Sequence, residues 1–505
     1  MAESTLESLR ARIESFLSAD PAREITEDGE LLFELRRTEF RLEENRGRLL
    51  LHLWSPERNW VRRVVDIAEE TSERLVVEVE RFGGRRPGKL VVAAPRRRAP
   101  SERERAAARR QFSAWFRRLL ERQFPRARLE ALSTAADLKR SFSGLYTRAL
   151  LVEAGGRDWW AVMGASGGED SATADGLLTY ALIWLDWNRR RYPERVWAGL
   201  RLFLPAGRAA TTANRLAILG ATLKNELYEV DEDESTCARL DPRDFGNLDT
   251  YLDPARRADS LLAAVGETLE RIRALAPGAI EAVVPAARDW VAVRFRGIEF
   301  ARLKPGEATF GLGRAQRPLT DRNFRALAAL LKRLERERCA DASSKGALQR
   351  AQPERWLEAL VAAAPHKIDP RLSPERLLRQ VPAVSAGERG VADLLGATRD
   401  GQLVLLELKA SANIHLPLQG LDYWLRVRWH QQRSEFPRRG YFPGLALRPD
   451  PPELLLVAPE LQFHPSTETL AGYLAPAVPV TRVGINEDWR RELRVVSRRR
   501  IEGSR

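Results

Sequence analysis

The stretch Leu-Val-Leu-Leu-Glu-Leu-Lys at residues 403–409 places two charges inside a run that otherwise reads as a doubly buried strand. Glu407 and Lys409 are two positions apart, so in an extended strand both side chains leave the same face. Asp393 lies in the preceding candidate strand, and the hairpin decides whether it joins them. A two-residue Asp400-Gly401 turn would set Asp393 opposite Leu408, on the wrong face. A three-residue loop, Arg399–Gly401, with Gly401 left-handed, pairs Thr398 with Gln402 and sets Asp393 opposite Glu407. The second register is expected. Two facing carboxylates cannot both stay ionised in a dry sheet unless a cation neutralises them, and an all-oxygen donor pair suits Mg2+ or Mn2+. Only eight of the 83 Lys and Arg residues are lysine. Lys409 brings a compact ammonium able to position a water or stabilise a developing phosphorane charge. The plainer alternative is a buried Glu407–Lys409 ion pair with Asp393 at a strand end.

The next predicted helix carries Gln419, Tyr423, Arg426 and His430 at i, i+4, i+7 and i+11, one polar stripe opposite Leu418, Leu421 and Leu425. Pro417 fits the first helical turn and puts Gln419 near the positive helix end, a place suited to phosphate. His366, His415, His430 and His464 are too scattered for a zinc site. Of these, His430 is the candidate phosphate donor.

Asp393, Glu407-Leu408-Lys409 and Gln419-Gly-Leu-Asp-Tyr423 together resemble the PD-(D/E)XK nuclease superfamily, and the Gln-x-x-x-Tyr element resembles its RecB-like exonuclease branch. The resemblance covers residues 354–505. It implies that Asp393 and Glu407 bind the divalent metal, that Lys409 assists the water, and that Gln419 and Tyr423 contact substrate or fix Lys409. It also implies a glutamate from the preceding helix: Glu358 is the first choice, with Glu354 and Glu375 as weaker candidates. The proline that the family places before its aspartate is absent, Ala392 standing there.

The elements that must hold these residues read helix, strand, strand, strand, helix, strand, which the resemblance implies to be a restriction-endonuclease-like core. The middle region repeats that order. When residues 148–166 are set against 392–411, Ala149 replaces Asp393, Val162 replaces Glu407 and Gly164 replaces Lys409, which suggests a degenerate, metal-free copy; any β-β-α-β unit would align comparably. Trp184 and Trp187 sit at helical spacing on a Leu-rich helix and read as core. Gly-Ala-Ser-Gly-Gly at 164–168 fits the nucleophile elbow of esterases around Ser166, but no helix is expected to start at once behind it.

The fold class is therefore α/β, mixed α+β overall. A β-rich unit with flanking helices is expected at 1–125, where Ser101 can cap a charged helix. A mixed α/β region, helix-rich from 254, follows at 126–338, then a linker at 339–353 and the nuclease-like domain at 354–505. A formal net charge of +13 favours an anionic partner, nucleic acid and DNA before RNA. No apolar run is long enough to span a membrane, and no N-terminal leader is evident. Cys237 and Cys339 are too few for a disulfide framework or a zinc site, so the cytoplasm is the expected compartment. No Gly-x4-Gly-Lys-Ser/Thr loop occurs, which excludes a P-loop motor or kinase. A nucleic-acid-binding protein without turnover and a scaffold are the competing readings.

Overall fold

The computed structural model describes residues 2–503 apart from 20–22, 28–29, 36–37, 46–47, 56–57, 72–73, 81–86, 94–101, 233–234, 244–249, 253, 286–288, 314, 341–345 and 385–390. Ser101 thus lies outside the described residues. The chain divides into two compact units, 1–106 and 107–505. The first opens with helix α1 (Ala2–Ala19) and continues as seven strands: β1 (Glu24–Glu27), β2 (Glu30–Glu34), β3 (Glu39–Asn45), β4 (Arg48–Ser55), β5 (Arg58–Glu70), β6 (Arg74–Glu80) and β7 (Pro87–Ala93). They form one antiparallel sheet in the order β2-β1-β7-β6-β5-β4-β3. Ile13 and Phe16 of α1 share a core with Leu51, Leu53, Val77 and Leu90 of the sheet.

The second unit contains two sheets of matching topology. Helix α2 (Glu102–Gln123) precedes β8 (Arg128–Ser133), β9 (Thr147–Val152) and β10 (Asp158–Gly164), which pair antiparallel in sequence order. Helix α3 (Ser171–Arg191) then crosses over to β11 (Val196–Pro205), parallel to β10, and α4 (Ala210–Leu216) to β12 (Lys224–Asp231), parallel to β11. An antiparallel β13 (Thr236–Leu240) closes the sheet. Helix α3 is apolar around most of its circumference because both of its sides are covered, with Leu177, Leu178, Leu182 and Leu185 all buried. Asp170 caps it by accepting the Thr173 N–H, and Arg189, Arg190 and Arg191 sit at its negative end.

Between the two sheets the chain forms β14 (Tyr251–Leu252) and a lobe: α5 (Arg256–Ala264), α6 (Gly266–Arg273), β15 (Ile280–Val283), β16 (Val291–Phe295), β17 (Ile298–Lys304), β18 (Glu307–Phe310), β19 (Arg317–Pro318), α7 (Phe324–Glu337) and α8 (Ala347–Arg350). Its five strands make a meander, where the sequence had suggested mostly helices. Val291, Val293, Phe295, Phe300 and Leu303 bury one face of that meander against Leu327, Leu331 and Leu334. Part of the expected linker, 341–345, lies outside the described residues. Its later part is fastened, since the Arg338 guanidinium donates to the carbonyls of Leu348, Ala351 and Gln352.

The last stretch runs α9 (Pro353–Ala363), β20 (Leu377–Val384), β21 (Val391–Ala397), β22 (Leu403–Leu408), α10 (Leu416–Gln432), α11 (Glu435–Arg438), β23 (Glu453–Pro459), α12 (Thr467–Gly472), β24 (Val480–Ile485) and β25 (Val495–Ile501). Its pairing, antiparallel, antiparallel, parallel, parallel, antiparallel from β20 to β25, is that of β8 to β13, with β14 added at the edge. Helices α3, α4, α10 and α12 form the layer between the two sheets, and α2 and α9 cover the outer faces. Helix α3 packs on α12 while α10 packs on α4, the reciprocal contacts of an isologous interface. Behind α4 and α12, Leu219 and Leu474 form an antiparallel bridge in which Gly220 N–H donates to the Tyr473 carbonyl at 3.0 Å and Ala475 N–H to the Ile218 carbonyl at 2.9 Å. The two halves are thus related by a local pseudo-two-fold.

This geometry corrects the alignment read from the sequence by one residue. Ala149 and Val162 lie on the outer face under α2, and Gly164 abuts Phe116 there. The inner face, toward α3, carries Ala161 and Met163 on β10 and Ala165 just past its end, with Arg148 on β9 against Phe142 and Trp184. Glu407 follows Leu403 and Leu405 on the inner face of β22. Met163 therefore stands where the second half has Glu407, Arg148 where it has Asp393, and Ala165 where it has Lys409. Strand ends agree with this register: Pro205 pairs with Val230 as Pro459 pairs with Ile485. Both faces of β10 are apolar, so its sequence carries no phase, and a one-residue slip moves every side chain to the other face.

Candidate active site

The hairpin that aligns the carboxylates has the three-residue loop. Thr398 N–H donates to the Gln402 carbonyl at 2.9 Å, Gly401 N–H to the Thr398 carbonyl at 3.1 Å, and Gly401 has φ +85°. A side chain at Gly401 would also place its Cβ 1.9 Å from the Ala446 carbonyl oxygen. The register runs Ala397–Leu403, Leu395–Leu405, Leu394–Leu406, and one step further sets Asp393 against Glu407.

Glu407 is 2% exposed and accepts a hydrogen bond from Lys409 Nζ at 2.9 Å through Oε1. Its Oε2 is buried without a partner. Asp393 Oδ2 accepts the Leu408 N–H at 2.9 Å, which folds the carboxylate over the end of β22. Burial and then the neighbouring Glu407 push Asp393 well above the usual carboxylate range. Burial also raises Glu407, against the pull of Lys409. For Lys409, burial opposes the charge, but Glu407 and Asp393 outweigh it and the ammonium is held more firmly than usual. In the first half the same place is filled: Arg148 donates to the carbonyls of Ser143 and Ala135, and Met163 is 1% exposed.

Helix α10 packs on β22 and brings Tyr423 of the expected stripe to this corner. Burial and the charges of Glu407 and Asp393 raise the Tyr423 phenol, so its hydroxyl stays protonated beside them. Gln419, one turn earlier, has its side-chain oxygen buried without a partner. Arg426 donates through Nη1 to the Asp422 carbonyl at 3.2 Å, while its buried Nε has no partner. His430 departs from expectation. It is 1% exposed, with Nδ1 2.6 Å from Glu435 Oε2 and Nε2 2.9 Å from Thr250 Oγ1, so it is a satisfied core side chain and no phosphate donor. Gln419, Tyr423, Arg426 and His430 share one stripe, but three turns along it the helix passes under the chain that follows, where Glu435 and Phe436 cover His430.

Of the three upstream glutamates, Glu358 is buried in α9 and its charge reaches Asp393. Arg379 holds it at 3.3 Å and donates to Glu281 of the lobe at 2.6 Å. Glu354 is exposed in the first turn of α9, and its charge reaches Glu407 and Lys409. Glu375 is exposed in the turn before β20, away from the cluster. Two further pairs escaped the sequence reading: Arg379 with Glu281, and Asp422 with Arg215 of α4, joined by hydrogen bonds of 2.8 and 2.7 Å. Asp422 sits inside the Gln-x-x-x-Tyr element and was the available signal. Its partner is 207 residues away.

Among the described residues no group of three or more His, Cys, Asp or Glu side chains is assembled to hold an ion. The donors present nevertheless fit a hard cation of the magnesium class, which takes one or two carboxylates and completes its shell with water and phosphate. The unpartnered Oε2 of Glu407 supplies the lone pair such an ion would take. Ser166 is not poised as a nucleophile: it donates to Glu232 at 3.0 Å, and helix α3 begins five residues later.

No family model, curated protein or solved structure matches the chain. The geometry therefore carries the functional argument alone. No helix among the described residues is long and apolar enough to cross a membrane.

Proposed function

We propose that the second half of the larger unit is a metal-dependent nuclease of the PD-(D/E)XK kind, cleaving phosphodiester bonds in nucleic acid, DNA in preference to RNA, in the cytoplasm. The observation that carries the reading is Glu407: a buried carboxylate with one oxygen on Lys409 and the other without a partner, set against Asp393 at the end of one strand. Asp393 and Glu407 would hold Mg2+ or Mn2+, which supplies Lewis-acid polarisation of the phosphate and a more acidic water. Lys409 stands beside the same carboxylates, keeps its proton, and stabilises the added negative charge as the phosphorus is attacked. Tyr423 presents a hydroxyl beside the carboxylates, and Gln419, one turn earlier on α10 with its buried side-chain oxygen unpartnered, would join it in orienting Lys409 or a phosphate oxygen. Glu358, held back by Arg379, reinforces the negative field that would attract the ion. The net charge of +13 supports backbone binding without sequence preference.

The 2.9 Å Glu407–Lys409 pair equally suits a protein that binds nucleic acid on this scaffold without cutting it. Cleavage of plasmid and single-stranded DNA in Mg2+ or Mn2+ separates the two. Loss of cleavage in Asp393→Ala and Glu407→Ala with retained, salt-sensitive binding supports the nuclease. Binding without any metal-dependent cleavage by the wild-type chain sinks it.

A further inference from the structure

The half that lacks the carboxylates grips α10 at two points, one before Gln419 and one between Gln419 and Tyr423. At the helix start, His415 accepts or donates through Nδ1 to Thr179 Oγ1 of α3 at 2.9 Å. Its ring packs edge-on against Tyr180 at 5.6 Å. The fit is close: a Cβ at Gly176 would lie 3.2 Å from His415 Cε1 and 2.8 Å from the Tyr146 hydroxyl. Burial, helped by Arg215, lowers the His415 pKa to about 4, so the ring is neutral and the contact is a fixed hydrogen bond. The second grip falls inside the motif. Arg215 of α4, 5% exposed, donates Nε to Asp422 Oδ1 at 2.8 Å and Nη2 to Asp422 Oδ2 at 2.7 Å. Its remaining nitrogen donates to the Asp175 carbonyl of α3. A two-pronged guanidinium fork, itself pinned to a neighbouring helix, fixes both the height and the rotation of the carboxylate it holds. Asp422 is adjacent to Tyr423, so the rotation of α10 at this residue decides where the phenol sits relative to Glu407 and Asp393.

We infer that Arg215 and Thr179 are positioning residues for the candidate centre, making the metal-free half an internal scaffold that sets α10 over the carboxylates of the other half. The inference rests on the proposed metal site at Asp393 and Glu407, and on cleavage for its rate measurement alone. The test uses the full chain with Arg215→Lys, which keeps the charge and loses the fork, and Thr179→Val. Two quantities are read: kcat and KM for DNA cleavage in Mg2+, and Mn2+-induced broadening of a 3-fluorotyrosine signal assigned to Tyr423, without substrate. Displacing such an outer partner costs about 10–100-fold. That loss is expected in kcat for Arg215→Lys, with KM unchanged and the Tyr423 broadening weakened; Thr179→Val moves both readouts in the same direction by less. If Arg215→Lys loses its fold, the pair Arg215→Met with Asp422→Leu replaces the buried ions by apolar side chains of similar bulk. That double variant is expected to keep the thermal midpoint and lose the rate and the broadening. Unchanged kcat and unchanged broadening in a folded variant overturn the inference. A wild-type chain that broadens Tyr423 but never cuts overturns the nuclease reading alone, and the broadening comparison still decides Arg215. No broadening in the wild type overturns the inference, and no metal-dependent cleavage beside it overturns the nuclease reading as well.

Discussion

Replacing Asp393 by Asn should give a metal-free protein whose stability advantage over the wild type grows as pH rises, and should remove its response to Mn2+. Asp393 faces Glu407 in a buried corner and its folded pKa is raised, first by burial and then by that neighbour. The unfolded chain releases this proton near the ordinary aspartate value of about 3.9, while the folded chain keeps it to higher pH. A folded state that binds more protons than the unfolded state loses stability as pH increases. The favourable contribution is therefore complete below the ordinary value and is lost as pH climbs toward the raised one, at about 1.4 kcal/mol per pH unit. Asparagine does not titrate and can still accept the Leu408 N–H, so the stability gap between variant and wild type should widen with that slope. Mn2+ reverses the order: at a hundredfold excess over its Kd it should stabilise the wild type by about 2.7 kcal/mol and leave the variant nearly unchanged. Urea unfolding of both chains from about pH 5 to pH 8, with chelator and with MnCl2, reads both effects. A gap that stays flat with pH, or equal protection of both chains by Mn2+, would refute the reasoning.

Lys409→Met should lower single-turnover cleavage by about 10²–10³-fold, the cost of one charge-stabilising donor, while binding measured by fluorescence anisotropy is retained. Gly401→Ala forces a left-handed residue and a Cβ against the Ala446 carbonyl, so it should cost about 1–3 kcal/mol in chemical denaturation and, by loosening the hairpin register, weaken Mn2+ protection. His430→Gln should lower the thermal midpoint through its lost Glu435 and Thr250 contacts yet leave DNA affinity at low salt unchanged.

What the sequence disclosed and what it hid follow from how far each interaction reaches along the chain. The Asp393–Glu407 register was legible because a glycine with one forced conformation closes a short hairpin, and the phase of Glu407 and Lys409 then fixes the face. The duplicated strand order was legible as alternating apolar runs and helices. Its register was not, because β10 is apolar on both faces and gives no phase. The meander at 280–318 was hidden in short strands between helices. His430 was misjudged because periodicity reports which residues share a stripe, not how far along the helix the stripe stays open. Arg215–Asp422 and Arg379–Glu281 join residues 207 and 98 positions apart, and although Asp422 lies inside the Gln-x-x-x-Tyr element, nothing local marks the residue it would meet.

The bridge at Leu219 and Leu474 has a consequence for how the protein behaves when dilute. Paired halves made as separate polypeptides fall apart below their dissociation constant, but here one backbone tethers them and the second contact is intramolecular. Their docking cannot be titrated away, so any property that depends on it should be the same per molecule at nanomolar and at micromolar concentration.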